Sequence, residues 1–125
     1  MEKDHYIGVD ISKRTIDVAI YVKNQEKKGT FPHETFSNSE EGFKDMKRWL
    51  RKQNAVLPKS LFCMEATGNY TYELCLFLEQ QSVDYSIQSP LHLKRSFGLT
   101  HGKNDKVDAS RIAYYAYLHR DDIKS

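Results

Sequence analysis

Four acidic residues sit among apolar neighbours in this chain, and their chemistry is the first thing to explain. Asp105 and Asp108 keep spacings of three and four with Ala109, Ile112, Ala113 and Ala116. In a helix such positions share one face. The small apolar members of that stripe must pack inward, so both aspartates are expected on the inward side of a first helical turn. A buried carboxylate needs a partner or a metal. Two carboxylates ~4 Å apart repel by ~4 kcal/mol at an effective dielectric of ~20. A divalent cation between them turns that repulsion into attraction. Acids in a first turn also simply favour the helix dipole; it is the pair on an apolar stripe that points further.

Asp10 lies in the most apolar strand, opposite the face carrying Ile7, Val9 and Ile11. Aspartate is disfavoured within strands, and the plain alternative is that it caps the turn Ser12–Thr15. Glu65 directly follows Leu61–Met64, a short continuous apolar run. Ligands of open α/β sheets collect at such carboxyl ends of strands; a water-facing loop glutamate is the alternative. Together Asp10, Glu65, Asp105 and Asp108 are a set of hard oxygen donors that suits Mg²⁺ or Mn²⁺. Two such ions ~3.5–4 Å apart activate a water or hydroxyl and stabilise the leaving oxygen of a phosphodiester.

The elements that must carry these acids follow from periodicity. Tyr6–Ile11 and Ile16–Val22 alternate around the polar connection Ser12–Thr15, which predicts an antiparallel hairpin. Lys23 to Gly29 reads as a charged turn, and Thr30–Phe36 as a third strand whose Pro32 marks an edge or a bulge. Asn38, with Glu41 three residues on, is spaced to cap a helix. That helix would carry Phe43, Met46, Trp49, Leu50 and Gln53 on one face and Lys44, Arg48, Arg51 and Lys52 on another.

Leu61–Met64 predicts a central buried strand, Tyr70–Gln80 a helix, and the alternation of Val83, Tyr85 and Ile87 a fifth strand. Ser89-Pro90 opens a short helix ending near Gly98. After a loop over Thr100–Lys103, a last helix is expected from about Asn104 to about His119. The order β-β-β-α-β-α-β-α-α predicts an α/β fold with a mixed five-stranded sheet and flanking helices.

With 125 residues the chain fits one domain. An apolar share of 39% and a charged share of 29% favour a folded domain over disorder. No run approaches the ~18 apolar residues of a membrane span. The charged start runs directly into a strand, so no signal peptide is expected and the cytosol is the expected compartment. Cys63 and Cys75 lack C-x-x-C spacing and read as reduced core thiols rather than a disulfide or metal pair.

The net charge of +2 is too mild to declare a nucleic-acid binder by itself. The Lys44, Arg48, Arg51, Lys52 stripe fits a solvated face, or a phosphate-contacting one. Lys94, Arg95, His101 and Lys103 precede the acidic pair and are better placed to hold a nucleic-acid backbone. Tyr114, Tyr115 and Tyr117 fit core packing, or contact with another domain, ahead of base stacking. The five histidines show no zinc-ligand spacing.

Three segments carry a family resemblance: Gly8-Val9-Asp10-Ile11-Ser12-Lys13, Met64-Glu65-Ala66-Thr67-Gly68-Asn69-Tyr70 and Lys103-Asn104-Asp105-Lys106-Val107-Asp108-Ala109. In this order they resemble the amino-terminal domain of DEDD transposases, the bacterial insertion-sequence "IS-one-ten" family, over essentially the whole chain. The resemblance implies a RuvC-like, ribonuclease-H-like fold with Asp10, Glu65, Asp105 and Asp108 as the D-E-D-D ligands of Mg²⁺ or Mn²⁺. It implies metal-dependent DNA strand cleavage and transfer in transposition, with element ends and target DNA as partners. Some members also take a guide RNA, and a dimer or tetramer is expected.

Asn104 stands where the family more often has threonine, a change compatible with capping. Family members are longer and hold a serine nucleophile in a second domain. Residues 1–125 would then be a truncated catalytic domain. Two other readings compete: a ribonuclease-H-like RNA- or DNA-binding module inactive in isolation, and half of a sugar-kinase-like ATPase. The ATPase reading suffers from the absence of glycine in the Ser12–Thr15 turn.

Overall fold

The computed structural model describes residues 3–23, 31–66, 68–98 and 107–123. The first two alternating segments form β1 (His5–Ile11) and β2 (Thr15–Val22), paired antiparallel with Ile7 opposite Ile20 and Asp10 opposite Asp17. Ser12 closes the connection. Its amide donates to Thr15 O at 2.9 Å, and its hydroxyl lies 3.0 Å from that of Thr15.

The third strand, β3 (His33–Ser37), begins later than the expected Thr30 and pairs antiparallel with β2 at the sheet edge. Pro32 cannot donate to a ladder, but just ahead of the strand its carbonyl accepts from Ile20 N at 3.0 Å. On the other side of β1, β4 (Ser60–Glu65) and β5 (Asp84–Gln88) add in parallel, giving the order β3-β2-β1-β4-β5. Every β4 residue from Ser60 to Met64 is buried, as expected of a strand covered on both faces.

Among the described residues four α-helices flank the sheet: α1 (Glu40–Lys52), α2 (Tyr72–Gln80), α3 (Pro90–Ser96) and α4 (Ala109–Leu118). Three starts differ from expectation. Ser39 rather than Asn38 caps α1, its Oγ accepting from Gly42 N at 3.2 Å. Helix α2 starts at Tyr72, after a 3-10 turn over Gly68–Thr71. Gly68 enters that turn at φ +59, a region glycine adopts without steric cost. Helix α4 starts at Ala109 rather than near Asn104, because Asp108 is extended (φ -80, ψ 176) and serves as its cap. The start of α3 matches expectation, with Ser89 accepting from His92 N at 3.0 Å and Pro90 in the first turn.

The sheet separates two cores. On one face Ile7, Val9, Ile16, Val18, Phe62 and Met64 pack under Phe43, Met46 and Leu50 of α1 and Leu74, Phe77 and Leu78 of α2. On the other, Tyr6, Tyr21, Leu61 and Cys63 pack under Leu93 of α3 and Ile112, Ala113, Tyr115 and Ala116 of α4. Tyr114 and Tyr117 set their rings 5.3 Å and 4.7 Å from that of Tyr21, so these tyrosines pack the core. Both cysteines are free, and burial pushes the Cys63 thiol up to about 12. No described helix is long and apolar enough to cross a membrane.

Candidate functional site

The site begins with a residue that lacks a side chain. A Cβ on Gly8 would overlap Ala109 O and Ala113 N and come within 3.0 Å of Ala113 Cα. Glycine therefore lets the α4 backbone rest directly on β1. Side chains alternate along a strand, so Asp10, two residues beyond Gly8, lies on the α4 side. The same alternation carries Glu65 to that side, because Leu61 and Cys63 pack against α4.

Val9 pairs with Met64 in parallel register, and Asp10 and Glu65 each lie one step past that pair, both partly buried at the carboxyl ends of neighbouring strands. The α4 amino terminus covers this end, with Ala109 over Gly8 and Asp108 just before it. Asp10 and Glu65 therefore share one face and one end of the sheet, while Asp108, at the start of the helix that covers this end, lies beside Asp17 and Thr35. Asp105 lies outside the described residues, as do His101 and Lys103.

The expectation that Asp108 sits within a first helical turn is corrected. It is the cap, exposed, with Oδ1 accepting from Arg111 N at 2.9 Å. A cap satisfies one of the amides a helix start leaves without a partner. Among the described residues, no group of three or more His, Cys, Asp or Glu side chains is arranged to hold a metal ion.

One acid escaped the sequence reading. Asp17 lies directly opposite Asp10. With His33, Thr35, Asp108, Ala109 and Ser110 it lines a cavity of about 300 Å³. The Thr35 hydroxyl donates to Asp17 Oδ1 at 2.6 Å. The signal was present: Asp17 interrupts Ile16 and Val18 just as Asp10 interrupts Val9 and Ile11, and a turn over residues 12–15 sets 10 against 17.

Asn38, displaced from its expected capping role, ties the site together. Its Nδ2 donates to Ser12 O at 2.9 Å and to Tyr70 O at 3.0 Å, and its own amide donates to Arg14 O at 2.8 Å. It thereby links the turn after Asp10 to the turn after Glu65. Asn38→Ala leaves two carbonyls without these donors and should cost about 1–3 kcal/mol. Asn38→Asp should cost more, because a carboxylate would face both carbonyl oxygens. Urea unfolding of the two variants beside wild type checks this; equal midpoints for all three would contradict it.

The basic residues divide between the faces. Lys44, Arg48, Arg51 and Lys52 line the outer face of α1, across the sheet from the acids, and Arg48 pairs with Asp45. Lys94 and Arg95 belong to α3, which packs on the acid-bearing side.

Comparison with known proteins bears on this arrangement. A family model of the DEDD, IS-one-ten type, described as "Transposase", matches residues 7–125. The pilin gene-inverting proteins of Moraxella bovis and Moraxella lacunata are each 31% identical over 113 residues, covering 88% of this chain and 33% of theirs. The chain thus spans about a third of the length of these curated relatives. The RuvC structure of Thermus thermophilus superposes with a TM-score of 0.59 at 12% identity, covering 94% of this chain and 95% of that one. That likeness shows a ribonuclease-H-like fold.

Proposed function

Since the chain belongs to the DEDD transposases of the IS-one-ten family, we propose that it is the catalytic domain of a transposase or DNA recombinase that cleaves and transfers DNA strands with a divalent metal. The match over residues 7–125 carries this reading. The name of the Moraxella relatives, which denotes inversion of a gene, supports DNA rearrangement as the reaction class. Element ends and target DNA are the proposed substrates, in the cytoplasm. A guide RNA, a dimeric or tetrameric assembly and a serine-bearing second domain belong to the same proposal.

The donors suit a hard cation in chemical type, although the described side chains do not converge on one point. Asp10 and Glu65 offer carboxylate oxygens on neighbouring strands, Asp108 offers one at the start of α4, and Mg²⁺ and Mn²⁺ prefer such ligands. These three, with Asp105, would hold the ion. When bound, it would lower the pKa of a water or hydroxyl and offset charge on the leaving oxygen. The protein's own part is orientation. Adjacent parallel strands fix Asp10 beside Glu65. Gly8 sets the depth of α4, and the bond from Arg111 N fixes the Asp108 carboxylate at the helix start.

Calorimetric titration of the protein with Mn²⁺ tests the reading. Saturable binding is expected in wild type and should be lost in Asp10→Asn and in Asp108→Asn. Equal heats in all three would overturn it. One observation favours a second reading, a nucleic-acid-holding module without chemistry of its own: the Asp108 carboxylate is already engaged as a helix cap. Gel shifts in EDTA separate the two, because that module would bind nucleic acid equally well with and without metal and show no Mn²⁺ heat.

A further inference from the structure

Between α3 and the end of α4 lies a second concavity, about 340 Å³, lined by Ser89, Leu91, His92, Arg95, Ser96 and His119. None of these lining residues is acidic. Its polar wall is held in place from behind. The His119 ring stacks on Tyr115 with centroids 4.3 Å apart, and its Nε2 lies 3.3 Å from Ser96 Oγ. Tyr115 in turn donates from its hydroxyl to Gln88 Oε1 at 3.2 Å. The His92 ring meets Tyr115 edge-on at 6.2 Å. Ser89 Oγ accepts from His92 N at 3.0 Å, so its hydroxyl proton is left to donate elsewhere.

We propose that this pocket seats a phosphodiester group of the nucleic-acid strand on which the domain acts. The proposal rests on the reading given under Proposed function and adds a binding site to it. The chemistry is specific. A guanidinium presents a planar fork of donors that matches phosphate oxygens. Imidazole N–H and serine O–H groups donate without carrying an acceptor charge. Leu91, 48% exposed, offers an apolar surface to a sugar. Position agrees as well: α3 and α4 cover the sheet face to which Asp10 and Glu65 belong, so a strand reaching the acids can continue over α3. Asp121 and Asp122 follow in the turn after α4, the Asp122 amide donating to His119 O at 2.9 Å.

Fluorescence anisotropy tests the pocket, using labelled single-stranded DNA, duplex DNA and RNA oligonucleotides of equal length over a salt series. Arg95→Gln, at an exposed position, should weaken binding by about tenfold and lower the slope of log affinity against log salt by about 1. His119→Gln should weaken it in the same direction. Lys59→Gln, exposed at the opposite end of β4 and outside the pocket, should change affinity by less than about twofold, because a charge away from the bound strand releases no counterion. The oligonucleotide showing the largest loss distinguishes DNA from RNA as the source of the phosphodiester. Equal losses in Arg95→Gln and Lys59→Gln, or no loss in Arg95→Gln, would overturn the pocket and leave the transposase reading standing. Failure of wild type to bind any of the three would overturn both.

Discussion

Gly8→Ala is expected to destabilise the protein by about 3 kcal/mol, the upper end of ordinary overpacking, and to lower its melting temperature by roughly 10 °C or more. The added methyl would overlap Ala109 O and Ala113 N, which are backbone atoms of α4. A flexible side chain could swing aside; a helix backbone can yield only by moving as a body. That movement lifts the stripe of Ile112, Ala113 and Ala116 off Tyr6, Leu61 and Cys63. It also carries Asp108, the cap of the same helix, away from β1. Thermal unfolding by circular dichroism measures the first effect and Mn²⁺ calorimetry the second. A melting temperature within about 2 °C of wild type would show that the contact between β1 and α4 is looser than described.

On the proposed metal-dependent reading, in which Asp10 is a ligand, Asp10→Asn should have the largest effect on chemistry. The amide matches the carboxylate in size, so the melting temperature should hardly change. Removing one anionic ligand forfeits several kcal/mol of charge stabilisation. At ~1.4 kcal/mol per factor of ten, that predicts a loss of about a thousandfold or more in strand cleavage. Single-turnover cleavage of a labelled duplex carrying the element end, in Mg²⁺, is the measurement. Residual activity above about a tenth of wild type would remove Asp10 from the ligand set. Asp17→Asn in the same assay shows whether the acid opposite Asp10 shares its work.

Much of the architecture was legible in the sequence because β1, β2 and β4 announce themselves by pattern. Alternation made the hairpin visible, and the unbroken run from Leu61 to Met64 marked a strand covered on both sides. Element starts were less legible where two residues compete for one role. Asn38 and Ser39 are both capping types. The choice fell to Ser39 because the Asn38 amide is taken by carbonyls of residues 12 and 70, which are remote in sequence. Apolar spacing sets the start of α4 early, because it runs back through Asp108 and Asp105 and does not reveal that Asp108 is extended.

The site was legible in part. Asp10 and Glu65 stood out as acids against apolar runs, and the structure puts them on the same side of adjacent strands. Asp17 did not stand out, because a polar residue in an alternating strand looks like an ordinary solvent-facing one. Alternation puts it on the α4 face, and the register of the hairpin sets it opposite Asp10. The pocket beside α3 was least legible of all, since it joins His92 and Arg95 to His119 across two helices.

The seating of α4 on Gly8 also has a meaning in time. It joins segments about a hundred positions apart, and contacts between distant parts of a chain are slow to close. Chains leave the ribosome amino terminus first, at ~5–20 residues per second. Asp10 and Glu65 are therefore made well before the helix whose cap completes their surroundings. A half-synthesised chain therefore carries β1 and β4 but not the helix that covers their shared end.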